Sequence, residues 1–263
     1  MAKNGTKIKI NGDKTKRTLY EKFFKRFFDV VLSFLALLIL SPLFLILFIC
    51  SKIFIHGKVI FSQYRPGKNG KVFKLYKFRS MTNKTDKDGN LLPDKDRITK
   101  YGKFLRKLSL DELPQLWNIL KGDMSIIGPR PRLVKDMIFY DKQFLKAYEI
   151  RPGLTGLSQI SGGRSEASWQ SIFEKDLEYR NKITFWGDVK ILFGTVKALF
   201  KSDSASGGAG EGNREYYYAD ELVKTNKISP EQYDLGLKMA EEIINNNGSV
   251  IYFKELHNKI EGE

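Results

Sequence analysis

The stretch Ser109-Leu110-Asp111-Glu112 sets two carboxylates side by side behind a serine and ahead of a run with helical periodicity. Its structural reading is a capping box, with the Ser109 side chain and Glu112 satisfying each other's backbone NH groups and Asp111 at the positive end of the helix dipole. The chemical reading uses the same placement. Adjacent acids at a helix start point in different directions, and the field there keeps a carboxylate ionised beside any anion the backbone NH groups attract. Such a carboxylate is a nucleophile toward phosphorus, through an aspartyl-phosphate type of intermediate.

The surrounding sequence is crowded with cations suited to phosphate: Arg65, Lys77, Arg79, Arg106, Arg130, Arg132, Arg151 and Arg164. Any one of them reads as solvated surface. Most, however, sit in stiff Pro/Gly contexts such as "YRPG", "GPRPR" and "IRPGLTG", and together they read as a binding site for an anionic substrate such as a pyrophosphate. Histidine and cysteine offer no competing chemistry: His56, His257 and Cys50 are the only ones, which argues against zinc and excludes a disulfide within the chain. A metal here would be a hard cation on carboxylates and phosphates, such as magnesium.

What positions these residues is read first from charge. The formal charge is +15, and two flanks hold all of it: nine Lys/Arg against Asp13 and Glu21 before Asp29, and eight Lys/Arg against no acid from Lys52 to Ser80. Between them Val30 to Ser51 carries no formal charge. Basic flanks on either side of one apolar run fit a protein resting on anionic lipid better than a nucleic-acid binder, for which no recognition motif is present. The run would make about 33 Å of helix, enough for a hydrocarbon core of about 30 Å. Yet Ser41-Pro42 sits at its centre, where Pro42 lacks a donor and presses on the Leu38 carbonyl. A kinked crossing accommodates the proline but leaves one basic flank on the wrong side of the membrane. A re-entrant hairpin with legs Phe28 to Leu40 and Leu43 to Phe54 accommodates both, the Ser41 hydroxyl serving a freed carbonyl.

Downstream, Val59 to Arg65 and Lys71 to Arg79 predict a basic β-hairpin around "PGKNG". A polar loop (Asn83 to Arg97), an amphipathic helix in "ITKYGKFLRKL", a helical stretch "LVKDMIFYDKQFLKAYEI" and two apolar-periodic helices up to Phe200 follow. Ser229-Pro230-Glu231-Gln232 marks a helix start in an acidic tail. The fold class is α+β and mainly helical. It divides into a basic arm over 1–25, a re-entrant membrane hairpin over 26–55, a catalytic domain over 56–201, a linker over 202–214 and a helical C-terminal extension over 215–263.

Four motifs in order, "KRFFDVVLS…SP", "FSQYRPGKNGKVFKLYKFRSM", "LSLDELPQLWNILKGDMSIIGPRP" and "RPGLTGLSQISGGR", resemble the bacterial sugar transferases, small monotopic phosphoglycosyl transferases. The resemblance covers roughly residues 22–200. It implies transfer of a sugar 1-phosphate from a UDP-sugar to undecaprenyl phosphate, with UMP released, magnesium required and a ping-pong course. Asp111 would be the nucleophile and Glu112 its partner in handling magnesium or a proton. Lys77, Arg79 and Arg106 would neutralise developing phosphate charge, while Arg130, Arg151, Arg164 and Asp176 correspond to positions on the phosphate and nucleotide side; Arg132 joins them as a phosphate-binding candidate. Ser41-Pro42 matches the family's helix break, which implies a monotopic protein on the cytoplasmic leaflet of the inner membrane, and the family works at the first step of polysaccharide, capsule or glycoprotein assembly; for the part after about Ser202, oligomerisation and contact with downstream glycosyltransferases are both open. One departure is Gly162-Gly163, where relatives have Asn-Gly. A non-catalytic module that binds lipid phosphate on the same basic surface is the competing reading.

Overall fold

The structure is a computed structural model that describes residues 17–55, 57–161, 168–200, 217–246 and 248. Most of the basic arm, the 202–214 linker and Arg164 lie outside the described residues.

A π-helical turn, Tyr20–Phe24, leads into α1 (Lys25–Ile39), and α2 (Ser41–Phe54) leaves at 62° to that continuous helix. The bend falls at Leu40 (φ −85°, ψ 3°), which puts Pro42 in the first turn of α2, where a missing NH is harmless. The Ser41 hydroxyl donates to Leu38 O at 2.8 Å, the carbonyl the proline leaves open. No single helix among the described residues is long and apolar enough to cross a membrane. The two legs nonetheless keep large apolar side chains exposed, among them Leu38, Ile39, Leu45 and Ile53.

The inner faces of the legs explain the polar residues in them. Asp29 is buried, accepting from Ser125 Oγ (3.0 Å) and Ile126 N (2.9 Å), and Arg26 donates to the carbonyls of Ile119 (2.6 Å) and Leu120 (2.9 Å). A buried carboxylate held by two donors on another element is a clamp, because removing either side strands a polar group.

Strands β1 (Ile60–Pro66) and β2 (Val72–Phe78) form the expected antiparallel hairpin, with Ile60 opposite Phe78 and Pro66 opposite Val72. Asn69 (φ 54°) in the turn takes the left-handed conformation that Asn tolerates better than most residues. Phe73 and Leu75 of β2 pack with Leu116, Ile119 and Met124 over Ala36, Leu37 and Phe44 of the helical legs.

After a short α3 (Asp94–Arg97) comes α4 (Lys100–Lys107), N-capped by Thr99 Oγ1, which accepts from Gly102 N at 2.9 Å. Helix α5 (Gln115–Lys121) ends at Gly122. Strand β3 (Ser125–Ile127) pairs in parallel with β4 (Gly153–Thr155), a small sheet the sequence reading did not anticipate. The stretch expected as one helix is broken into α6 (Val134–Ile138), α7 (Lys142–Leu145) and a 3₁₀ turn, Lys146–Glu149. The break has a local cause: Tyr140, fully buried, and the extended Asp141 turn the chain so that Phe144 can stack on Phe173 at 4.5 Å.

The two helices expected next are α9 (Trp169–Asn181) and α10 (Phe185–Phe200), with a one-turn α8 (Leu157–Ile160) before them. The tail contributes α11 (Tyr218–Lys224) and α12 (Pro230–Asn245), the latter starting where expected, with Ser229 and Gln232 closing a capping box. Met239, Ala240 and Ile243 of α12 share a core cluster with Met137, Ile138, Phe144 and Phe173.

The glycines of "GPRP" and "RPGLTG" have one joint purpose. A Cβ on Gly153 would lie 2.1 Å from Gly128 N and one on Gly128 2.5 Å from Arg151 O, so both must be bare for Gly128 N to reach Thr155 O (2.9 Å) and Gly153 N to reach Pro129 O (2.8 Å). Gly153→Ala is expected to destabilise the protein by about 2 kcal/mol or more, since the obstacle is backbone that cannot rotate away; urea unfolding of the variant measures it, and unchanged stability would refute the close approach.

Candidate active site

The two carboxylates sit on a 3₁₀ turn, Leu110–Glu112, between α4 and α5, and not in a capping box. The reason is local. Pro114 has no NH to bond Leu110 O in α-helical spacing, so Leu113 N takes that carbonyl at 3.3 Å. Ser109 is thrown into the left-handed region (φ 55°, ψ 21°), its side chain makes no cap bond, and its buried hydroxyl has no hydrogen-bond partner among the described residues. A serine held there is strained by about 1–2 kcal/mol.

The turn gives the two acids different surroundings. Glu112 Oε1 accepts from Lys77 Nζ at 3.0 Å and Arg130 Nη2 at 2.9 Å, all three side chains largely shielded from solvent. Burial by itself would raise the Glu112 pKa, but Lys77 and Arg130 outweigh it and hold the carboxyl at about 2. Asp111 is equally buried, and its Oδ1 has no hydrogen-bond partner among the described residues. Burial first, then the neighbouring Glu112 charge, push its pKa up, opposed by Lys77, Arg106 and Arg130. Two adjacent carboxylates are thereby driven apart, one fixed as an anion and one left unpaired; such a split assigns different roles to chemically similar groups.

The cations around the dyad come from separate elements. Lys77 lies on β2, Arg106 on α4 and Arg130 in the loop after β3. Arg106 Nε donates to Ser80 Oγ at 2.9 Å, and α4 comes that close because Gly102, where a Cβ would lie 1.8 Å from Ser80 O, packs against the Ser80 backbone. Asn118, fully buried, ties α5 to β2 by accepting from Tyr76 N (3.1 Å) and donating to Lys74 O (2.8 Å). Ser80 and Asn118 were not singled out in the sequence, though Ser80 adjoins Arg79 in "KFRSM" and could have been found there.

Asp111, Glu112, Lys77, Arg106 and Arg130 are thus brought together, and the other candidates among the described residues bond elsewhere. Arg79 donates to Asn83 Oδ1 at 2.9 Å, Arg65 to Gln63 Oε1 at 2.9 Å, and Arg151 to Gly122 O at 2.8 Å, beyond the far end of α5 from the dyad. Arg132 lies 5.3 Å from the Trp169 ring centroid, in a second buried polar patch with Asp176. Burial pushes the Asp176 carboxyl up to about 6 against the pull of Arg132 and Ser158. Arg132 Nε and Asp176 Oδ1 are buried there without a partner among the described residues. Unsatisfied groups of this kind call for a ligand or water.

No group of three or more His, Cys, Asp or Glu that could hold a metal occurs among the described residues. A protein-only metal cage is therefore absent from them. The unpartnered Asp111 Oδ1 beside Glu112 does fit magnesium, which commonly takes one or two carboxylates and completes its shell with substrate phosphate and water.

A buried carboxylate pair ringed by three cations defines an anion-handling site suited to phosphoryl chemistry. The chain belongs to the bacterial sugar transferase family, whose model matches residues 20–202. It is 45% identical over 179 residues to the uncharacterized sugar transferase EpsL of Bacillus subtilis, covering 68% of this chain and 88% of that one. It is 42% identical over 191 residues to the UDP-glucose:undecaprenyl-phosphate glucose-1-phosphate transferase of Klebsiella pneumoniae, covering 69% of this chain and 41% of that protein. With the undecaprenyl-phosphate galactose phosphotransferase of Salmonella typhimurium it shares 38% identity over 217 residues, 75% of this chain and 44% of the other. The chain thus matches less than half the length of the two relatives whose substrates are named.

Proposed function

We propose that this protein transfers a sugar 1-phosphate from a UDP-sugar to undecaprenyl phosphate, with Asp111 as the nucleophile. The observation that carries this is the division of labour in the dyad: Glu112 takes both ion pairs, which leaves an unpaired Asp111 carboxylate among Lys77, Arg106 and Arg130. Asp111 attacks the β-phosphorus of the UDP-sugar, the bond from that phosphorus to the bridging oxygen breaks, and the oxygen leaves on UMP. The sugar phosphate is then held as an acyl phosphate on Asp111. An oxygen of undecaprenyl phosphate attacks the same phosphorus, frees the carboxylate and gives undecaprenyl-diphospho-sugar.

Lys77 and Arg130, already desolvated and fixed by Glu112, stabilise charge that builds on the phosphoryl oxygens without having to reorganise. Arg106, steadied by Ser80, acts from the α4 side. Magnesium, held by Asp111 and Glu112, would supply further neutralisation of the pyrophosphate charge. Phe104, Leu108 and Trp117 stay about half exposed on the segments that bracket the dyad, apolar surface suited to a lipid-borne acceptor.

The reaction is tested with UDP-sugar alone: one equivalent of UMP and a phosphosugar mass on the peptide containing Asp111 are expected. Turnover without any adduct would point to direct displacement; folded protein inert toward a panel of UDP-sugars would refute the reading.

The membrane seat is part of the same proposal. The 62° bend and the apolar outer faces of α1 and α2 support a re-entrant hairpin that enters and leaves the cytoplasmic leaflet of the inner membrane. Single cysteines replacing Lys16 and Lys68 should both be shielded from an impermeant reagent in intact cells. Labelling of the first alone from outside would establish a crossing instead.

A further inference from the structure

A cavity of about 270 Å³ opens between the head of α1, the β1–β2 turn, β3 and the segment ahead of β4. It is separate from the dyad: Arg151, one of its walls, bonds Gly122 beyond the C-terminal end of α5, whereas Asp111 precedes the N-terminal end. Arg17, Lys22, Arg26, Lys68 and Arg151 line it.

The acids on its wall already have partners of their own. Glu21 pairs with Arg17 (3.6 Å), Asp29 accepts from Ser125 and Ile126, and Glu149 pairs with Arg180. Among the described residues Lys22, Arg26, Lys68 and Arg151 have no ion pair. Arg26 and Arg151 donate to peptide carbonyls, which satisfies their hydrogen bonds but not their charge. Burial and then Arg151 depress the pKa of both Lys68 and Arg26, outweighing Glu21 at Lys68 and Asp29 and Asp123 at Arg26, as when like charge predominates in a shared space. A group that brings negative charge into that space would relieve all of them at once.

The rim is apolar and aromatic. Phe23 lines the cavity and is exposed, with Phe24 and Phe27 exposed beside it. Phe185 packs on both Tyr20 and Phe28 at 5.8 Å and presents Trp186, 71% exposed, next to them. Exposed aromatics at the end of a membrane-seated helix are suited to the headgroup level.

We propose that this cavity binds the phosphate headgroup of an anionic phospholipid and fixes the depth and orientation of α1 in the membrane. The proposal rests on the membrane seat described above. The test is co-flotation of the purified full chain with vesicles of phosphatidylcholine alone or containing phosphatidylglycerol, comparing wild type, Lys22→Gln with Lys68→Gln, and a control pair, Lys227→Gln with Lys238→Gln. Lys22 and Lys227 are exposed and Lys68 partly so, which leaves folding unthreatened and checkable by circular dichroism. The cavity pair should lower affinity for phosphatidylglycerol vesicles by about fivefold per lysine, a factor equivalent to about 1 kcal/mol each, and leave binding to pure phosphatidylcholine unchanged. The control pair should do neither. An equal loss in the control pair would reduce the effect to general surface charge and overturn the site. Protection of wild type against thermal unfolding by inorganic phosphate as strong as by short-chain phosphatidylglycerol, and lost in the cavity pair, would make it a free-anion site and overturn the lipid assignment. Binding to phosphatidylcholine with no gain from phosphatidylglycerol defeats the site alone, whereas no vesicle binding at all defeats the membrane seat as well.

Discussion

Asp111→Asn is expected to abolish UMP release and, at the same time, to raise the melting temperature. The loss should reach roughly four orders of magnitude, because the variant replaces the nucleophilic carboxylate with a neutral amide, whose oxygen is too weak a nucleophile to displace UMP. The gain follows from the surroundings. Asp111 is buried beside the Glu112 anion with Oδ1 unpartnered, and its pKa is raised, so the native state binds that proton more tightly than the unfolded chain does. Above the ordinary carboxylate range an ionised Asp111 therefore works against folding, and asparagine of the same shape removes the penalty. One kcal/mol regained would lift the melting temperature by about 2–4 °C for a chain of this size. The sign fixes the pH dependence: the advantage of the variant is present at pH 8 and vanishes in acid, where Asp111 is protonated in both states. Thermal melts at the two pH values, beside UMP release, check both halves. A variant that is inactive and also less stable at pH 8 would make Asp111 a structural residue. One that still releases UMP would return the site to a non-catalytic phosphate-binding module.

How much of this was legible in the sequence depends on whether the cause was local. The bend at Leu40 was, since a proline's missing donor acts within one turn of helix, and the Ser41 hydroxyl bonds Leu38 O as the local chemistry requires. The β-hairpin and the Ser229 cap were legible for the same reason. The dyad was found by residue type, but its local structure was misread: the S-x-x-E pattern suits a capping box, and what overrode it was Pro114 together with two cations from distant segments that claim Glu112. The β3–β4 pair was invisible because its strands have three residues each and stand on two glycines whose close approach is a tertiary fact. Grouping the arginines by proximity was equally out of reach. Arg130 and Arg132 are two residues apart, yet one faces Glu112 and the other Trp169 and Asp176. In a strand two residues so spaced would share a face, so "GPRPR" serves two sites only because it lies outside any regular element, which residue spacing alone does not reveal.

Glu112→Ala is expected to destabilise the protein by about 3–5 kcal/mol, the typical result of deleting one member of a buried ion pair and stranding the rest. Here two cations, Lys77 and Arg130, lose the same acceptor oxygen and its charge. Repulsion between them would displace the β2 end from the loop after β3, and with it the charges that face Asp111. Removing the Lys77 charge should therefore restore part of the loss: Glu112→Ala with Lys77→Met is expected to be more stable than Glu112→Ala alone, although neither should transfer phosphosugar at the wild-type rate. The pH dependence has the opposite sign to that of Asp111. Glu112 is held at about 2, below the ordinary carboxylate range, so it stabilises the fold above that range and the stabilisation is lost as the pH falls toward 2. Urea unfolding from pH 8 down to pH 3 should show this acid limb in the wild type and a shallower one in Glu112→Ala. Wild-type stability in the single variant, with only KM for the UDP-sugar altered, would mean that Glu112 acts on the substrate and does not hold the cations in place. That outcome would also remove the reason for Asp111, and not Glu112, being the unpaired carboxylate.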